Sequence, residues 1–347
     1  MIRREHFGNM PDGREISLFI LENEKIRADV TDLGAVLVRL FTPDRAGKMA
    51  DIVLGFDSGE EYLDNSHCLG ATVLPSANRT ANASLVIAGV EYHLPVNEGN
   101  NNLHSDKTSF ITLWQTEEQS DDSVTFVHRR AHLEDGLPGN RCFKVTYTLE
   151  PDGLRIDFDA ESDQLTYINP VNHSYFNLAG ADSGSVLGQT LCIHASAITP
   201  LGAGQIPTGE ILPVDGTPFD FRTAKTIGSE IGNDDPQLVL AGGYDHNFVI
   251  DGYSGDGTLL PVAEACDPES GRTMEVLSTQ PGVQLYTANF TDVANGKTGV
   301  HYVPRGAFCL ETQFFPDNIH HENFVQSVFG GENPLHAATL FRFPGVK

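Results

Sequence analysis

The sequence predicts an all-β fold in which large antiparallel sheets pack as a single β-sandwich with few short helices. Short segments that alternate apolar and polar residues, or run continuously apolar, dominate the chain and are typical of strands. The 34 glycines and 19 prolines among 347 residues separate these segments by turns. Neither a linker-like composition shift nor a solenoid or propeller period is visible. One domain over residues 1–347 is therefore expected, with a β-propeller as the structural alternative.

The expected strands follow these segments in chain order. They cover residues 15–22, 26–30, 35–41, 123–128, 142–149 and 154–159. Glu150-Pro-Asp-Gly153 separates the last two and is typical of a hairpin turn. Helical patterns are short. Ser58 is placed to cap a turn over 59–63, and residues 223–231 are expected to form about two helical turns.

The charge balance favours a small neutral ligand. Lysine and arginine number 22 against 47 aspartates and glutamates, which gives a formal net charge of −25. Such a field repels phosphate backbones and anionic lipid headgroups, so neither nucleic acid nor membrane is an expected partner. It also disfavours phosphorylated substrates, which usually need a cluster of arginines.

The sequence predicts neither a cofactor nor a metal. It contains no Gly-x-Gly-x-x-Gly after a strand, no Walker loop and no His-Glu-x-x-His, and the adjacent His320 and His321 are expected to be solvated loop residues. The five cysteines are scattered and odd in number, which favours buried, reduced thiols. No apolar leader or span is visible, so the cytoplasm is the expected compartment.

Polar segments interrupt the strand pattern at residues 76–82, 99–104, 169–180, 242–248, 282–289 and 308–316. They supply amides, histidines, an arginine and an aspartate, which are the groups that hydrogen-bond the hydroxyls of a neutral sugar. Glu311 ends an apolar run, and a buried carboxylate needs a partner or a chemical role. From the residues alone, we expect the chain to bind a polar neutral ligand, and it has the groups that acid–base chemistry needs.

Each of these residues also has a purely structural interpretation. Arg79 could form a surface salt bridge, and His104 could cap a turn. His173 could be a hydrogen-bonded core histidine. Asp245 and His246 could satisfy a turn.

At these segments the chain resembles the aldose 1-epimerase (galactose mutarotase) family, in the family's order and over almost the whole length. The most specific motifs are Asn172-His-Ser-Tyr-Phe-Asn-Leu-Ala-Gly180, Gly242-Gly-Tyr-Asp-His-Asn-Phe248 and Leu310-Glu-Thr-Gln313. Ala77-Asn-Arg79, Leu103-His104 and Gln284-Leu-Tyr-Thr287 add to them. The resemblance implies a β-supersandwich that interconverts the α and β anomers of a free hexose without a cofactor.

The resemblance also implies the roles of individual residues. Glu311 would be the general base and His173 the general acid. The expected sugar contacts are Asn78, Arg79, His104, Ser174, Tyr175, Asp245 and Gln284. A monosaccharide substrate and a monomeric or homodimeric protein are expected.

Three alternatives remain open at this stage. They are a non-catalytic sugar-binding protein on the same fold, a hexose-6-phosphate epimerase, and a glycoside hydrolase that uses Asp245 and Glu311 as its carboxylate pair. The chain also departs from the family pattern at Leu74-Pro75-Ser76, Ser105-Asp106 and Phe314. We expect these residues to line or approach the cleft and to influence substrate preference.

Overall fold

The computed structural model describes residues 2–345, and antiparallel strands dominate it. The strands are β1 (Arg3–Asn9), β2 (Glu15–Glu22), β3 (Arg27–Thr31), β4 (Leu37–Pro43), β5 (Met49–Asp51), β6 (Ala71–Val73), β7 (Arg79–Thr80), β8 (Ser84–Ile87), β9 (Val90–His93), β10 (Asn102–Leu103), β11 (Gln115–Gln119), β12 (Ser123–Arg130), β13 (Arg141–Glu150), β14 (Gly153–Ser162), β15 (Thr166–Tyr167), β16 (Val171–His173), β17 (Thr190–Ile193), β18 (Ala195–Thr199), β19 (Leu212–Pro213), β20 (Lys225–Thr226), β21 (Asp245–Ile250), β22 (Leu260–Cys266), β23 (Thr273–Ser278), β24 (Gly282–Tyr286), β25 (Cys309–Gln313), β26 (Val328–Phe329) and β27 (Leu335–Arg342). The α-helix α1 spans Pro236–Ala241, and single 3-10 turns cover Glu61–Asp64, Ala81–Ala83, Ser109–Ile111, Ala203–Gln205, Lys297–Gly299 and Asn318–His320.

Three large sheets build the sandwich. One has nine strands in the order β11-β12-β13-β14-β27-β23-β22-β17-β20. The two others have five strands each, in the orders β1-β2-β3-β4-β5 and β19-β18-β21-β24-β25, and we call the latter the site sheet. The expected all-β supersandwich is confirmed.

The main hydrophobic core lies between the nine-stranded sheet and the two five-stranded sheets. Phe126 and Ile156 from the former meet Phe19 from β2 and Phe248 from β21 in one cluster. A second cluster covers the other face of the N-terminal sheet, where Ile16, Leu18 and Ile20 are buried. Because β2 is buried on both faces, its sequence is almost continuously apolar rather than alternating.

The strand assignments from the sequence agree with the structure. The segment 15–22 is β2, and the segments 142–149 and 154–159 lie within β13 and β14. Glu150 pairs with Gly153 across a two-residue turn, as the hairpin signal predicted.

The helical predictions were wrong or partly wrong. Residues 223–231 form no helix, because the short strand β20 pairs with β17 and the backbone amides of Ile227 and Gly228 donate to carbonyls at 187–189. Near 59–63 there is only the 3-10 turn Glu61–Asp64, and Ser58 donates its hydroxyl to Glu61 rather than capping the turn.

No helix was predicted at α1, although its capping signals are present in the sequence. Asp235 accepts from the amide of Gln237, Pro236 occupies the first turn, and Gly242 ends the helix with a left-handed φ of 71°.

The five cysteines are free thiols. Cys68 and Cys309 are buried as expected, whereas Cys142, Cys192 and Cys266 are half-buried at the sheet surface. Within residues 2–345, no helix has the length and hydropathy needed to cross a membrane.

Candidate active site

Strand periodicity places most of the candidate side chains on one face of the site sheet. Neighbouring residues on paired strands share a face, and the face repeats every second residue. The register aligns Asn247, Gln284 and Glu311 in one row, and Asp245, Tyr286 and Cys309 in the next. The intervening residues of these strands, such as Phe248, Leu285 and Leu310, pack into the main core.

This face forms the floor of a cleft of about 310 Å³, which lies within the size range of small-molecule sites. β16, β7 and the loop after β10 supply its other walls. Seven of the nine residues expected from the sequence line it, namely Asn78, Arg79, His104, His173, Tyr175, Asp245 and Glu311. Ser174 and Gln284 do not line it.

Glu311 and His173 face each other in the cleft. Nε2 of His173 lies 3.6 Å from Oε1 of Glu311, and the two residues are only 5% and 3% exposed. The second oxygen of Glu311, Oε2, is buried without a hydrogen-bond partner among the described residues. Glu311 and His173 both line the cleft, so a small polar ligand bound there would contact them.

Burial shifts the pKa values of this pair in opposite directions and reverses their usual order. It raises the pKa of Glu311 well above its usual range; Asp245 reinforces the shift and Arg79 opposes it. It lowers the pKa of His173 to about 4. Two titratable groups whose environments separate their pKa values in this way are typical of an acid–base pair.

Tyr175 and Cys309 fix the ring of His173. The ring stacks on Tyr175 with centroids 5.0 Å apart, and Nδ1 lies 3.7 Å from Sγ of Cys309. His173, Cys309 and Glu311 are close enough together to be considered as metal ligands. The two ring nitrogens contact different partners, Nδ1 the Cys309 thiol and Nε2 the Glu311 carboxylate.

The turn that carries His104 presents one ring nitrogen to the cleft. The backbone N–H of Asn78 donates to Nδ1 of His104 over 3.2 Å, which leaves Nε2 to carry the proton of the neutral ring. Burial lowers the pKa of His104 well below its usual range, so the ring is a neutral hydrogen-bond donor. Asn78 and His104 both have left-handed φ values, of 59° and 56°, a strain that often marks functional sites.

Arg79 is paired with Glu98, which was not among the predicted site residues. Its Nε and Nη2 donate to the two carboxylate oxygens of Glu98 over 2.7 and 2.8 Å. Lys107, also missed, lines the cleft as a second cation. A further hollow of about 560 Å³ adjoins the cleft and shares Arg79, Glu98 and Gln205 with it.

Gln284 and Ser174 support the cleft from outside its surface. Gln284 donates to Asp245 over 2.7 Å and accepts from Gln313, which also donates to Asn247. This chain of amides holds the Asp245 carboxylate, whose pKa burial raises. Ser174 donates to Oδ1 of Asn172 and is buried.

None of the departures from the family pattern lines the cleft, although Ser105 directly follows His104, which does. Ser76 and Ser105 bond each other: the Ser105 hydroxyl donates to the Ser76 carbonyl and accepts from its amide. Asp106 pairs with Arg130. Phe314 packs against Phe329.

The adjacent histidines are not simply solvated. Nδ1 of His320 lies 2.6 Å from Oδ1 of Asp317, and this contact raises the pKa of His320. His321 is partly buried near the same carboxylate.

Comparison with known proteins relates this site to one family. The aldose 1-epimerase family model matches residues 17–338. The chain is 37% identical to mouse (Mus musculus) galactose mutarotase over 344 residues, covering 99% of this chain and 98% of that protein. It is 33% identical to the aldose 1-epimerase of Escherichia coli K12 over 319 residues, covering 91% of each. A crystal structure of an aldose epimerase homologue from C. elegans superposes with a TM-score of 0.87 at 28% identity, covering 95% of this chain and 99% of that one.

Proposed function

The chain belongs to the aldose 1-epimerase family, and we propose that it interconverts the α and β anomers of a free hexose by acid–base catalysis between Glu311 and His173. One observation carries the assignment of residues. A buried carboxylate faces a buried imidazole at 3.6 Å in a polar cleft that both residues line. Galactose is the first substrate to test, because the mammalian relatives are named galactose mutarotases.

The reaction requires one base and one acid on either side of the anomeric carbon. Glu311 takes the proton from the anomeric hydroxyl while His173 gives a proton to the ring oxygen. The bond from C1 to the ring oxygen breaks, and the open-chain aldehyde rotates about C1–C2. Closure on the other face reverses both transfers, so the enzyme ends in its starting protonation state. Such assistance is typically worth about 10²–10⁴-fold in rate.

The pair has the right number of protons for this chemistry. Burial disfavours the charged form of each group, raising the pKa of Glu311 and lowering that of His173, and so favours a pair that shares one proton. Binding of the sugar hydroxyls and the nearby Arg79 favour placing that proton on His173, which generates the carboxylate base and the imidazolium acid. The pair titrates as a unit rather than as two independent groups.

The remaining residues orient the sugar. The Nε2–H of His104 donates toward the substrate, and the Asp245 carboxylate, held by Gln284, accepts from a sugar hydroxyl. Tyr175 and Tyr286 provide aromatic surface in the cleft. We assign Gln284 and Ser174 to positioning rather than to direct sugar contact.

Polarimetry of freshly dissolved α-D-galactose and α-D-glucose tests the activity. The protein should accelerate the approach to the equilibrium rotation above the spontaneous rate. No acceleration with either sugar would leave the non-catalytic sugar-binding alternative. Release of a monosaccharide from a simple disaccharide would instead favour the hydrolase.

We also propose that the protein is cytoplasmic and is a monomer or a homodimer. Free cysteines suit the reducing cytoplasm. Size-exclusion chromatography with light scattering would distinguish a monomer from a homodimer.

A further inference from the structure

We propose that Glu98 determines the substrate charge that the cleft accepts, by occupying the anion-binding edge of Arg79. This inference rests on the proposed function and concerns the same site. Glu98 belongs to a loop rich in glycine and asparagine, and its side chain is 34% exposed at the wall between the cleft and the adjoining hollow.

The geometry of the pair is that of a carboxylate on a guanidinium fork. Nε and Nη2 form one of the two edges by which arginine binds carboxylates and phosphates bidentately. Glu98 takes this edge with bonds of 2.7 and 2.8 Å, while the Arg79 side chain is only 12% exposed. Glu98 thereby takes two of the five N–H groups of Arg79 and neutralises its charge, so the three remaining N–H groups suit a sugar hydroxyl better than an anion.

The charged side chains that line the cleft sum to zero only because Glu98 contributes a negative charge. Arg79 and Lys107 are the cations, and Glu98 and Asp245 are the anions. The Glu311–His173 pair adds no net charge when it holds one proton, and burial disfavours the charged form of His104 by lowering its pKa. The described part of the chain gives Lys107 no ion-pair partner, so removing the charge of Glu98 would leave a net positive cleft with a free guanidinium edge. Such a site attracts phosphate.

The isosteric variant Glu98→Gln tests this inference. Polarimetry in a phosphate-free buffer at low salt would measure inhibition of D-galactose turnover by inorganic phosphate, and turnover of D-galactose 6-phosphate corrected for its spontaneous rate. We expect the inhibition constant of phosphate to fall, or kcat/KM for the 6-phosphate to rise, by at least about fivefold. A gain of anion binding cannot result from structural damage alone.

Glu269→Gln is the matched control. It removes the same charge from an exposed residue that lines neither the cleft nor the adjoining hollow. If Glu98→Gln changed both quantities by less than fivefold, or if Glu269→Gln reproduced the change, the specificity role of Glu98 would be overturned. Wild-type activity on free galactose is measured in the same series, so a failure of the proposed function is seen separately.

Discussion

The proposed one-proton state of the Glu311–His173 pair can be tested by the pH at which activity is lost on the acid side of the pH–rate profile. The competent enzyme holds one proton on the Glu311–His173 pair. Acidification adds a second proton and leaves no base, and this happens as the pH falls through the pKa of His173, which burial lowers to about 4. Alkali removes the only proton and leaves no acid. Because burial raises the pKa of Glu311, the alkaline fall in rate is shifted to higher pH.

The fraction of active enzyme at a given pH follows from the pKa of His173. At about pH 5, a pKa of about 4 leaves about 90% of the enzyme competent, whereas an ordinary histidine with a pKa of about 6.5 would leave about 3%. The assay is kcat/KM for galactose by polarimetry between about pH 4 and 9, with the spontaneous rate subtracted at each pH. A tenfold or greater fall between about pH 7 and 5, with the protein still folded by circular dichroism, would refute the one-proton account.

Three further predictions address separate parts of the site. His173→Asn should lower kcat about 10²-fold or more, because an amide cannot protonate the ring oxygen; near-normal kcat would remove His173 as the acid. Gln284→Leu should lower kcat/KM for galactose about tenfold, because Asp245 loses the donor that holds it, and its melting temperature reports any loss of fold. Dialysis against a chelator should leave the rate unchanged, and a loss that a divalent ion restores would contradict the proposed mechanism.

The sequence predicted the sheets better than the helical segments, for a physical reason. Strands such as β13 and β14 show their burial as residue alternation over ten positions each. The helix α1 has only six residues and therefore too little periodicity to show, although its Asp-Pro start and glycine end were readable.

The same alternation could have refined the candidate site. Adjacent residues of extended backbone point to opposite sides, so the motif that begins at the end of β16 could present His173 and Tyr175 to the cleft but not Ser174 as well. In β25, it places Cys309 and Gln313 on the face of Glu311. Residue alternation could not have predicted Glu98 or Lys107 as site residues, because both lie in irregular loops. Only the tertiary structure brings these loops to the cleft.

The most direct test of the central assignment is the anomerisation rate of Glu311→Gln. The substitution keeps the size of the side chain and removes its ability to take a proton. Binding of galactose, measured by calorimetry, should be retained, while kcat in polarimetry should fall about 10²–10⁴-fold. A variant that binds galactose and converts its anomers at the wild-type rate would show that Glu311 is not the base.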